Sequence, residues 1–485
     1  MSIKRHRTAI GRSDLSKPIR MALADSLIPA GASFFDYGCG RGQDCARLAE
    51  QGFSVSGWDP YFRPTAVRVP SSVVNIGYVV NVIEDPAERE RALLNAWSLT
   101  EDLLIVSARL SSDVREGGFL TSLSDGHLTS RGTFQKLFEQ AELRDWIEKV
   151  TESKAVPAAP GVFYVFRSEK ARLAFQAERY RRSPGIASLK FAELWSTKQA
   201  ELQPLINFLS RRGRLPTEYE LGEDLDGIHA TFGNIRRAFE VIRRHSVTEN
   251  WNAIAAQRAQ DLSIYLALSQ FDGRPKFSDL PEDLKNDVRA FFSTYTKACK
   301  VADSLLLKLG DQAHINEACR ASDIGKLTPE ALYIHVSALD ALPTSLRLLE
   351  GCARGYLGRV EGANIIKLHR KKPKVSYLSY PHFELDPHPQ LSHSLVVDLK
   401  SFRVRTMRFA LRRNPPILHR KEEFINESHP LFAKFEKLTL SEEKFGLYDN
   451  PSVIGTLNGW QEVLNSTGVY LQGHRILKKN SDPCA

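Results

Sequence analysis

The sequence predicts an α/β fold, with a doubly wound sheet in its first 170 residues. Three observations predict it. A short apolar strand leads through a glycine-rich loop into a helix, a second strand follows that helix, and later apolar runs alternate with amphipathic segments. Strands and helices in alternation form a parallel sheet with helices on both faces, because crossover connections are right-handed.

The elements follow one another in a regular order up to residue 166. The first helix of the unit is expected to end before Gly52, because glycine readily adopts the positive φ that closes a helix. Short runs of β-branched or aromatic residues are predicted to be buried strands, and segments with apolar residues at helical spacing are predicted to be helices. The predicted strands are 33–37, 53–60, 73–76, 103–108 and 162–166, and the predicted helices are 44–51, 88–99 and 133–150.

Length predicts two or three domains, because 485 residues exceed one ordinary hydrophobic core, and composition divides the chain into three. Residues 1–170 carry the doubly wound sheet. Residues 171–325 are predicted to be mainly helical and basic, with a helix-turn-helix. Residues 326–485 are predicted to form a basic, mixed α+β domain.

The positive charge is unevenly distributed along the chain. The net charge is +9, yet residues 1–170 hold 21 Lys and Arg against 21 Asp and Glu. All of the excess therefore lies in the remaining 315 residues. A basic surface is typical of a protein that binds a polyanion such as nucleic acid, and a merely solvated surface is the alternative.

Several classes of protein are not favoured by the composition. No apolar run approaches the roughly 20 residues of a membrane-spanning helix, and the basic N-terminus is not followed by the apolar segment of a secretory signal. The six cysteines lack CxxC spacing, which argues against a zinc site or a disulfide framework. We therefore expect a cytoplasmic protein that does not bind a membrane.

The stretch FDYGCGRGQD, between the first strand and the first helix of the sheet, is the strongest candidate for a ligand site. It holds three glycines at alternate positions after an acid. Glycines let the backbone approach a ligand, and the helix that follows offers free N–H groups. Dinucleotide sites require G-x-G-x-x-G, and Gln43 stands where the third glycine would be.

An acid followed by G-x-G-x-G is instead the pattern of S-adenosylmethionine-dependent methyltransferases. The sequence thus predicts a Rossmann-like sheet of the class I methyltransferase type, with another nucleotide site as the alternative. An acid at the end of the second strand, 21 positions after the first glycine, can accept hydrogen bonds from ribose hydroxyls. The predicted cofactor-binding residues are Asp36, Gly38, Gly40, Gly42 and Asp59.

Catalytic residues are expected where the 73–76 strand ends, because chemistry in such sheets lies at the carboxyl ends of the strands. Enzymes that methylate a base amine carry Asn/Asp/Ser-Pro-Pro-Tyr/Phe/Trp there. Asn75 and Tyr78 match the outer positions, with Ile76 and Gly77 in place of the prolines. We predict that Asn75 orients the amine and Tyr78 stacks on a flipped base. The alternative is that Asn75 caps the strand and Tyr78 packs on the sheet.

The later segments predict a nucleic-acid surface. Leu215-Pro216-Thr217 after a glycine turn resembles the start of a helix-turn-helix, with a further helix beginning at Phe232. The run 367–374 is densely basic, and basic residues are interleaved with Tyr and Phe in the segment from 375 to 424. Phosphates would contact the basic side chains and bases would stack on the aromatic ones.

Two other patterns in the C-terminal region do not predict a functional site. The literal Asn-Pro-Pro at 414–416 is followed by isoleucine and no glycine loop, so it is predicted to be a turn. No metal site is predicted, since the spacing of four candidate ligands matches no known pattern. Those four are His382, Asp386, His388 and His419.

Seven stretches together resemble the methyltransferase family associated with DNA phosphorothioation. They are RHRTAIGR, FDYGCGRGQD, GWDP, NIGYVVNVIED, GRLPTEYEL, VSYLSYPHFELDPHP and NPPILHRKEEF, and the last two are the most specific. The resemblance spans nearly the whole chain. It implies a bacterial DNA-modification or defence role beside systems that place sulfur in the DNA backbone and restrict unmodified DNA, with proteins of such a system as partners.

The sequence therefore predicts an S-adenosylmethionine-dependent methyltransferase that acts on DNA, at an exocyclic base amine. Residues 1–170 would hold the cofactor and the basic remainder would hold the polymer. Two alternatives stay open. One is a catalytically inactive Rossmann-fold subunit that binds DNA in a defence complex, and the other is an RNA methyltransferase.

Overall fold

The computed structural model describes residues 3–9, 11, 14–113, 119–182, 199–245 and 251–478. The chain forms two compact units. The first comprises residues 1–172, 315–342 and 352–485, and the second comprises residues 173–314 and 343–351.

The N-terminal part of the first unit is a six-stranded sheet in the order β2-β1-β3-β4-β9-β8. Its strands are β1 Ser33–Tyr37, β2 Ser54–Trp58, β3 Ser71–Gly77, β4 Thr100–Ser107, β8 Ala155–Ala159 and β9 Val162–Phe166. The helices of this part are α1 Lys17–Ala24, α2 Gln43–Glu50, α3 Pro86–Ser98 and α4 Gln140–Thr151. A small antiparallel sheet contains β5 Phe119–Leu123, β6 Gly126–Thr129 and β7 Phe134–Gln135.

Helices cover both faces of the main sheet, as the alternation of strands and helices predicts. Phe35, Val74 and Val106 belong to a buried cluster with Leu93 of α3 and Ile147 of α4. On the other face, α1 contacts β3 and β4. The four strands β1 to β4 are parallel, and the chain reverses its direction of winding between β1 and β3. Ligands of such sheets bind at that point, outside the carboxyl ends of the strands.

Two expectations about this sheet are wrong. Strand β9 runs antiparallel between β4 and β8, because a short β-hairpin connection leads from β8 into it rather than a crossover helix. The helix predicted over 133–150 begins only at Gln140, since Phe134 and Gln135 pair with β6. Phe134 and Phe138 are buried nonetheless, which explains why their spacing resembles a helix.

The C-terminal part of the first unit contains a second six-stranded sheet, in the order β10-β11-β12-β13-β14-β15, with every neighbouring pair antiparallel. Its strands are β10 Lys326–Leu327, β11 Ala331–His335, β12 Ile365–His369, β13 Lys374–Ser379, β14 His393–Asp398 and β15 Val404–Arg408. Helices α15 Phe432–Lys444 and α16 Leu457–Ser466 follow, with the hairpin β16 Val469–Gln472 and β17 Arg475–Lys478.

The segment between the two large sheets packs directly on the first one. Arg359 N donates to Ala158 O in β8 at 2.6 Å, and its guanidinium pairs with Asp25 at 3.0 Å. Gln140 Nε2 donates to Tyr356 O at 3.1 Å. A Cβ on Gly358 would lie 2.2 Å from the backbone of Ala158, so only glycine allows this approach.

The second unit is helical. Its elements, including three helices that cross its boundaries, are α5 Glu169–Arg179, α6 Gln199–Arg212, α7 Glu218–Leu221, α8 Asp224–Phe232, α9 Ile235–His245, α10 Trp251–Ser269, α11 Glu282–Phe292, α12 Tyr295–Lys308, α13 Gln312–Arg320 and α14 Thr344–Leu357. The helix predicted to begin at Phe232 begins at Ile235 instead, because Gly233 has φ +81° and ends α8. Thr217 caps α7 in a capping box with Glu220.

No helix among the described residues is both long enough and apolar enough to cross a membrane.

Candidate functional site: the glycine loop and its cavity

The loop after β1 follows a backbone path that glycine adopts most easily. Gly38, Gly40 and Gly42 have φ of +82°, +55° and +75°, in the left-handed region that strains other residues. Gly38 N donates to Trp58 O at 2.7 Å, which fastens the loop to the end of β2. A Cβ on Gly38 would lie 2.4 Å from Cγ2 of Val79. The alternate glycines are therefore explained by this path.

Asp59, at the end of β2, connects the glycine loop to the next loop. Its Oδ2 accepts a hydrogen bond from Gly40 N at 3.0 Å, and its Oδ1 accepts from Tyr61 N at 2.9 Å and Phe62 N at 2.8 Å. An ionised carboxylate has about four acceptor sites. Three internal bonds thus leave Asp59 capacity for a hydroxyl of a ligand.

Asp36 and Asn75 lie beneath the loop. Asn75 is 2% exposed and its Nδ2 donates to Asp36 Oδ1 at 2.8 Å. Its Oδ1 has no hydrogen-bond partner among the described residues. In this conformation the Asn75 amide is directed towards Asp36, so its predicted contact with an acceptor amine stays a prediction.

One cysteine, Cys39, lies within this loop, and another, Cys45, lies in the helix that follows it. Cys45 in α2 is buried, and a Cβ on Gly57 would meet both its Sγ and Cβ of Cys39 within 3.2 Å. A hydrogen bond with Cys39, burial and the carboxylate of Asp36 raise the pKa of the Cys45 thiol. Cys45 is therefore a neutral packing residue at neutral pH.

Tyr78 has the backbone strain that is common at functional sites. Its φ is +59°, unusual for an aromatic residue, and its N–H donates to Ser107 O at 2.9 Å. This bond holds the turn after β3 against the end of β4. The half-buried Tyr78 lines the same cavity as the glycine loop.

That cavity measures about 400 Å³, within the range of roughly 300–1,000 Å³ that small-molecule sites occupy. Gly38, Gly40, Asp59 and Tyr78 all line it. Asp36 and Asn75 lie below its surface. Six of the seven predicted residues thus lie in the cavity wall or directly below it, whereas Gly42, at the start of α2, does not line the cavity.

The N-terminal segment, residues 3–9, forms another wall of the cavity, which the sequence did not predict. Arg5 bonds Glu84 at 2.7 Å and Glu88 through both terminal nitrogens, and these bonds raise the pKa of Arg5. The ring of His6 stacks on Tyr61 at 4.1 Å. The only sequence signal is the motif RHRTAIGR, of which Ile10 and Arg12 lie outside the described residues.

The predicted nucleic-acid surface of the C-terminal region is narrower than the sequence suggests. Tyr377, Tyr380 and Phe383 are buried at 3–6% exposure, so they cannot stack on bases. Within the basic run 367–374, Arg370 is buried, and Lys371 and Lys374 pair with Glu330 and Asp398, respectively. Five exposed arginines remain on or beside the edge strand β15, namely Arg403, Arg405, Arg408, Arg412 and Arg413.

Two of the four candidate metal ligands, His388 and His419, use a ring nitrogen in a hydrogen bond. His388 Nε2 bonds the fully buried Glu442 at 2.6 Å, and His419 Nε2 donates to Ile454 O at 2.6 Å. Lys421 Nζ donates to Asp386 O at 2.5 Å. Across the described ranges, no three His, Cys, Asp or Glu residues are arranged to hold a metal ion.

Comparison with known proteins gives similarity at the level of solved structures alone. No protein-family model and no curated protein matches the chain. One similar structure is the 1,6-didemethyltoxoflavin-N1-methyltransferase of Burkholderia thailandensis with bound S-adenosylhomocysteine (16% identity, 31% of this chain and 79% of that chain, TM-score 0.23). Another is CalS10, an amino pentose methyltransferase of Micromonospora echinaspora (16% identity, 34% and 94%, TM-score 0.24).

A third is the magnesium protoporphyrin IX methyltransferase of Synechocystis (15% identity, 34% and 93%, TM-score 0.25). Because these identities and TM-scores are low, the Rossmann-like assignment depends on the strand order and loop geometry described above.

Proposed function

We propose that the chain is an S-adenosylmethionine-dependent methyltransferase that acts on DNA, at an exocyclic base amine. One observation carries the proposal. The glycine loop, held to Asp59 through Gly40 N, borders a cavity of about 400 Å³ that is also lined by the strained Tyr78. A site at the switch point of a parallel sheet, with bare backbone beside the carboxylate of Asp59, suits a nucleoside with a zwitterionic tail.

The residues present have the chemistry that this cofactor requires. Asp59 would accept a ribose hydroxyl with its remaining acceptor capacity, and the backbone at Gly38 and Gly40 would approach the ligand without side-chain hindrance. Asp36 and Asn75 would support the loop from below, through their 2.8 Å hydrogen bond. When bound, the cofactor supplies a methyl group to an in-line nitrogen nucleophile, so the protein contributes chiefly positioning.

The geometry at the end of β3 supports an extrahelical base as the acceptor. Tyr78 lines the cavity, and its backbone N–H is fixed by its hydrogen bond to Ser107 O. Base–aromatic stacking contributes about 1–3 kcal/mol per base. Tyr78 would stack on the flipped base, and Asn75 would meet the amine only after releasing Asp36.

The edge strand β15 supports DNA as the polymer. Arg408 Nη2 donates to Asp113 O at 3.1 Å, which places this strand beside the segment that follows β4. The guanidinium groups of Arg403, Arg405 and Arg413 have no carboxylate partner among the described residues. Unpaired arginines beside the carboxyl edge of the sheet suit the phosphates of a long polyanion.

The association with DNA phosphorothioation is proposed from the resemblance. Two of its most specific stretches, 375–389 and 414–424, meet in the structure: His388 and His419 lie with ring centroids 4.4 Å apart. Motifs that fold together support a shared structural role in such a family.

Cofactor binding is the first test. Titration calorimetry with S-adenosylmethionine should give micromolar binding, and Asp59→Asn should weaken it about tenfold to a hundredfold, since a charge-assisted hydrogen bond contributes about 1.5–3 kcal/mol. The exposed Glu101→Ala, at the opposite end of β4, is the control. A folded parent that binds no cofactor would refute the methyltransferase proposal.

Methyl transfer is the second test. Tritium-labelled cofactor is offered with duplex DNA and, in parallel, with RNA. DNA should be labelled, Tyr78→Phe should retain most of the rate, and Tyr78→Ala should lose about tenfold or more, because only the alanine removes the stacking ring. Cofactor binding without transfer would favour the inactive DNA-binding subunit, and labelling of RNA alone would favour the RNA methyltransferase.

A further inference from the structure

A second cavity, of about 510 Å³, adjoins the first. The two share His6, Ala9, Arg41, Tyr61 and Phe62 in their walls. The second cavity adds two more arginines, Arg7 and Arg131. Three arginines and a histidine thus surround it, and none of the described residues that line it is acidic.

The three arginines come from three separate segments, and each backbone is held in place. Arg7 lies in the turn Arg5–Thr8, which Arg5 fastens to Glu84 and Glu88. Arg41 lies between Gly40 and Gly42, inside the bonded glycine loop. Arg131 lies in the β6–β7 turn, which the hydroxyls of Thr129 and Thr133 close at 2.7 Å.

No carboxylate in the described part of the chain neutralises these side chains. The guanidinium groups of Arg7, Arg41 and Arg131 form no ion pair there, whereas the neighbouring Arg5 forms two. Like charges around one cavity repel each other, and an anion between them would relieve that repulsion. The guanidinium fork matches the oxygens of a phosphate group in geometry.

The aromatic residues of the cavity define one side of it. Tyr61 is 60% exposed, with one face covered by His6. Phe62 meets Tyr61 edge-on at 5.0 Å and has Arg41 over its ring at 5.2 Å. Aromatic rings beside arginines that lack a carboxylate partner are a combination that binds a nucleotide, since the rings contact the sugar or base and the arginines contact the phosphate.

We propose that Arg7, Arg41 and Arg131 form a phosphate subsite that holds the DNA backbone beside the nucleotide being methylated. The inference rests on the proposed function and names the part of the substrate that this cavity binds. DNA is favoured over a free nucleotide because all three arginines are exposed and because the first cavity, which would hold the cofactor and the target base, is adjacent. Phosphate contacts position the strand, while the first cavity selects the base.

The experiment measures DNA affinity against salt concentration. A fluorescent duplex is titrated by anisotropy at several NaCl concentrations, with the full-length parent and with Arg7→Gln/Arg41→Gln/Arg131→Gln. The charge-matched control is Lys149→Gln/Lys170→Gln/Lys437→Gln, three exposed lysines outside both cavities. Titration calorimetry with S-adenosylmethionine accompanies each protein, and circular dichroism confirms folding.

The arginine variant should bind DNA at least tenfold more weakly than the control. Its slope of log K against log salt should fall by about one for each phosphate that the substituted arginines no longer neutralise. Because Arg41 also lines the first cavity, cofactor affinity is compared in Arg131→Gln, whose residue lines only the second cavity, and it should stay within twofold of the parent. The single variant Arg131→Gln, in a turn remote from the cofactor loop in sequence, should reproduce about a third of the slope change.

Three outcomes would overturn the subsite. DNA binding with a slope equal to that of the control would refute it and leave the DNA methyltransferase proposal standing. Cofactor binding without any DNA binding by the parent would refute both the subsite and the DNA acceptor. Arginine-dependent binding of dAMP, inorganic phosphate or RNA in preference to duplex DNA would assign the cavity to another phosphate ligand.

Discussion

At the scale of single residues, the glycine loop shows why this sequence needs glycine at three alternate positions. Gly38 combines a φ of +82° with a close neighbour, Val79, from the turn after β3. Gly52, at the end of α2, has a φ of +87°, and a Cβ added there would meet no atom within 4 Å. The two residues share backbone strain but differ in crowding.

This pair gives a matched test of the loop. Gly52→Ala should lower the free energy of unfolding by roughly 1 kcal/mol, since a residue in the left-handed region stores about that much strain. Gly38→Ala should lower it further and abolish cofactor binding, because the new methyl group displaces Val79 from the cavity wall. Urea denaturation and calorimetry measure both effects. Equal behaviour of the two variants would show that the contact with Val79 has no role.

The backbone path of this loop can be predicted from the sequence because its constraint is local. The alternate glycines indicate a backbone path with positive φ. Asp59 can be picked out because it stands at the end of a predicted strand. The sequence does not predict that Asn75 contacts Asp36, because β3 and β1 become neighbours only in the folded sheet. Nor does the sequence predict the positive φ of Tyr78, since tyrosine rarely adopts that conformation.

At the scale of elements, the N-terminal segment matters most for the site. It has only one short 3-10 turn, Arg5–Thr8, with no buried residue. Its position depends on Arg5 and two glutamates of the region where α3 begins, 79 and 83 residues away in sequence. Ala9 lies close to Gly40, where an added Cβ would approach it within 3.3 Å.

Removing this anchor should open the cavity. Arg5→Gln should speed exchange of the amides of residues 3–9 and weaken S-adenosylmethionine binding about tenfold or less, because one wall of the cavity is lost while the glycine loop remains. Lys4→Gln removes the adjacent exposed charge, which has no carboxylate partner in the described residues, and should change neither property.

Hydrogen–deuterium exchange by mass spectrometry and calorimetry measure the two effects of Arg5→Gln. Protection of residues 3–9 equal to that of the parent would mean that the His6–Tyr61 stack alone holds the segment.

Elements are predictable from sequence where local pattern and long-range pairing agree. Strands β1, β3 and β4 are apolar runs bounded by turns, and the structure has them within three residues of the predicted bounds. The 133–150 segment shows the opposite case. Its first residues have helical spacing, yet pairing of Phe134 and Gln135 with β6 overrides it, and a pairing partner cannot be read from periodicity.

At the scale of the whole molecule, the chain has a net charge of +9. Its basic residues fall into two groups, those paired inside the protein and those exposed on its surface. Many arginines of the helical unit are internal: Arg214 bonds Asp287 and Glu220, while Arg347 bonds Asp261. These arginines stabilise helix packing and are not available to a polyanion. The arginines on and beside β15 are exposed. Composition alone cannot separate the two, because pairing depends on residues far apart in the sequence, such as Arg214 with Asp287.

The segment after the C-terminal sheet holds His419, whose lowered pKa makes stability depend on pH. Burial, and then the charge of neighbouring His388, lower the pKa of His419 to about 3. Its Nε2–H donates to Ile454 O, and its buried Nδ1 has no partner in the described structure. Protonation at Nδ1 would add a charge beside His388, Arg420 and Lys326.

From the lowered pKa of His419 we predict that the protein loses stability in mild acid. In the unfolded chain the pKa of this histidine is about 6.5, so below that pH the unfolded state binds a proton that the folded state does not bind until about pH 3. The free energy of unfolding therefore falls as the pH falls, by about 2 kcal/mol between pH 7 and pH 5 for this group. Urea denaturation at both pH values should show His419→Gln losing less stability on acidification than the parent, whereas the exposed His382→Gln should lose as much. An unchanged pH dependence in His419→Gln would contradict this prediction, because it would mean that the ring has the same pKa in the folded and the unfolded chain.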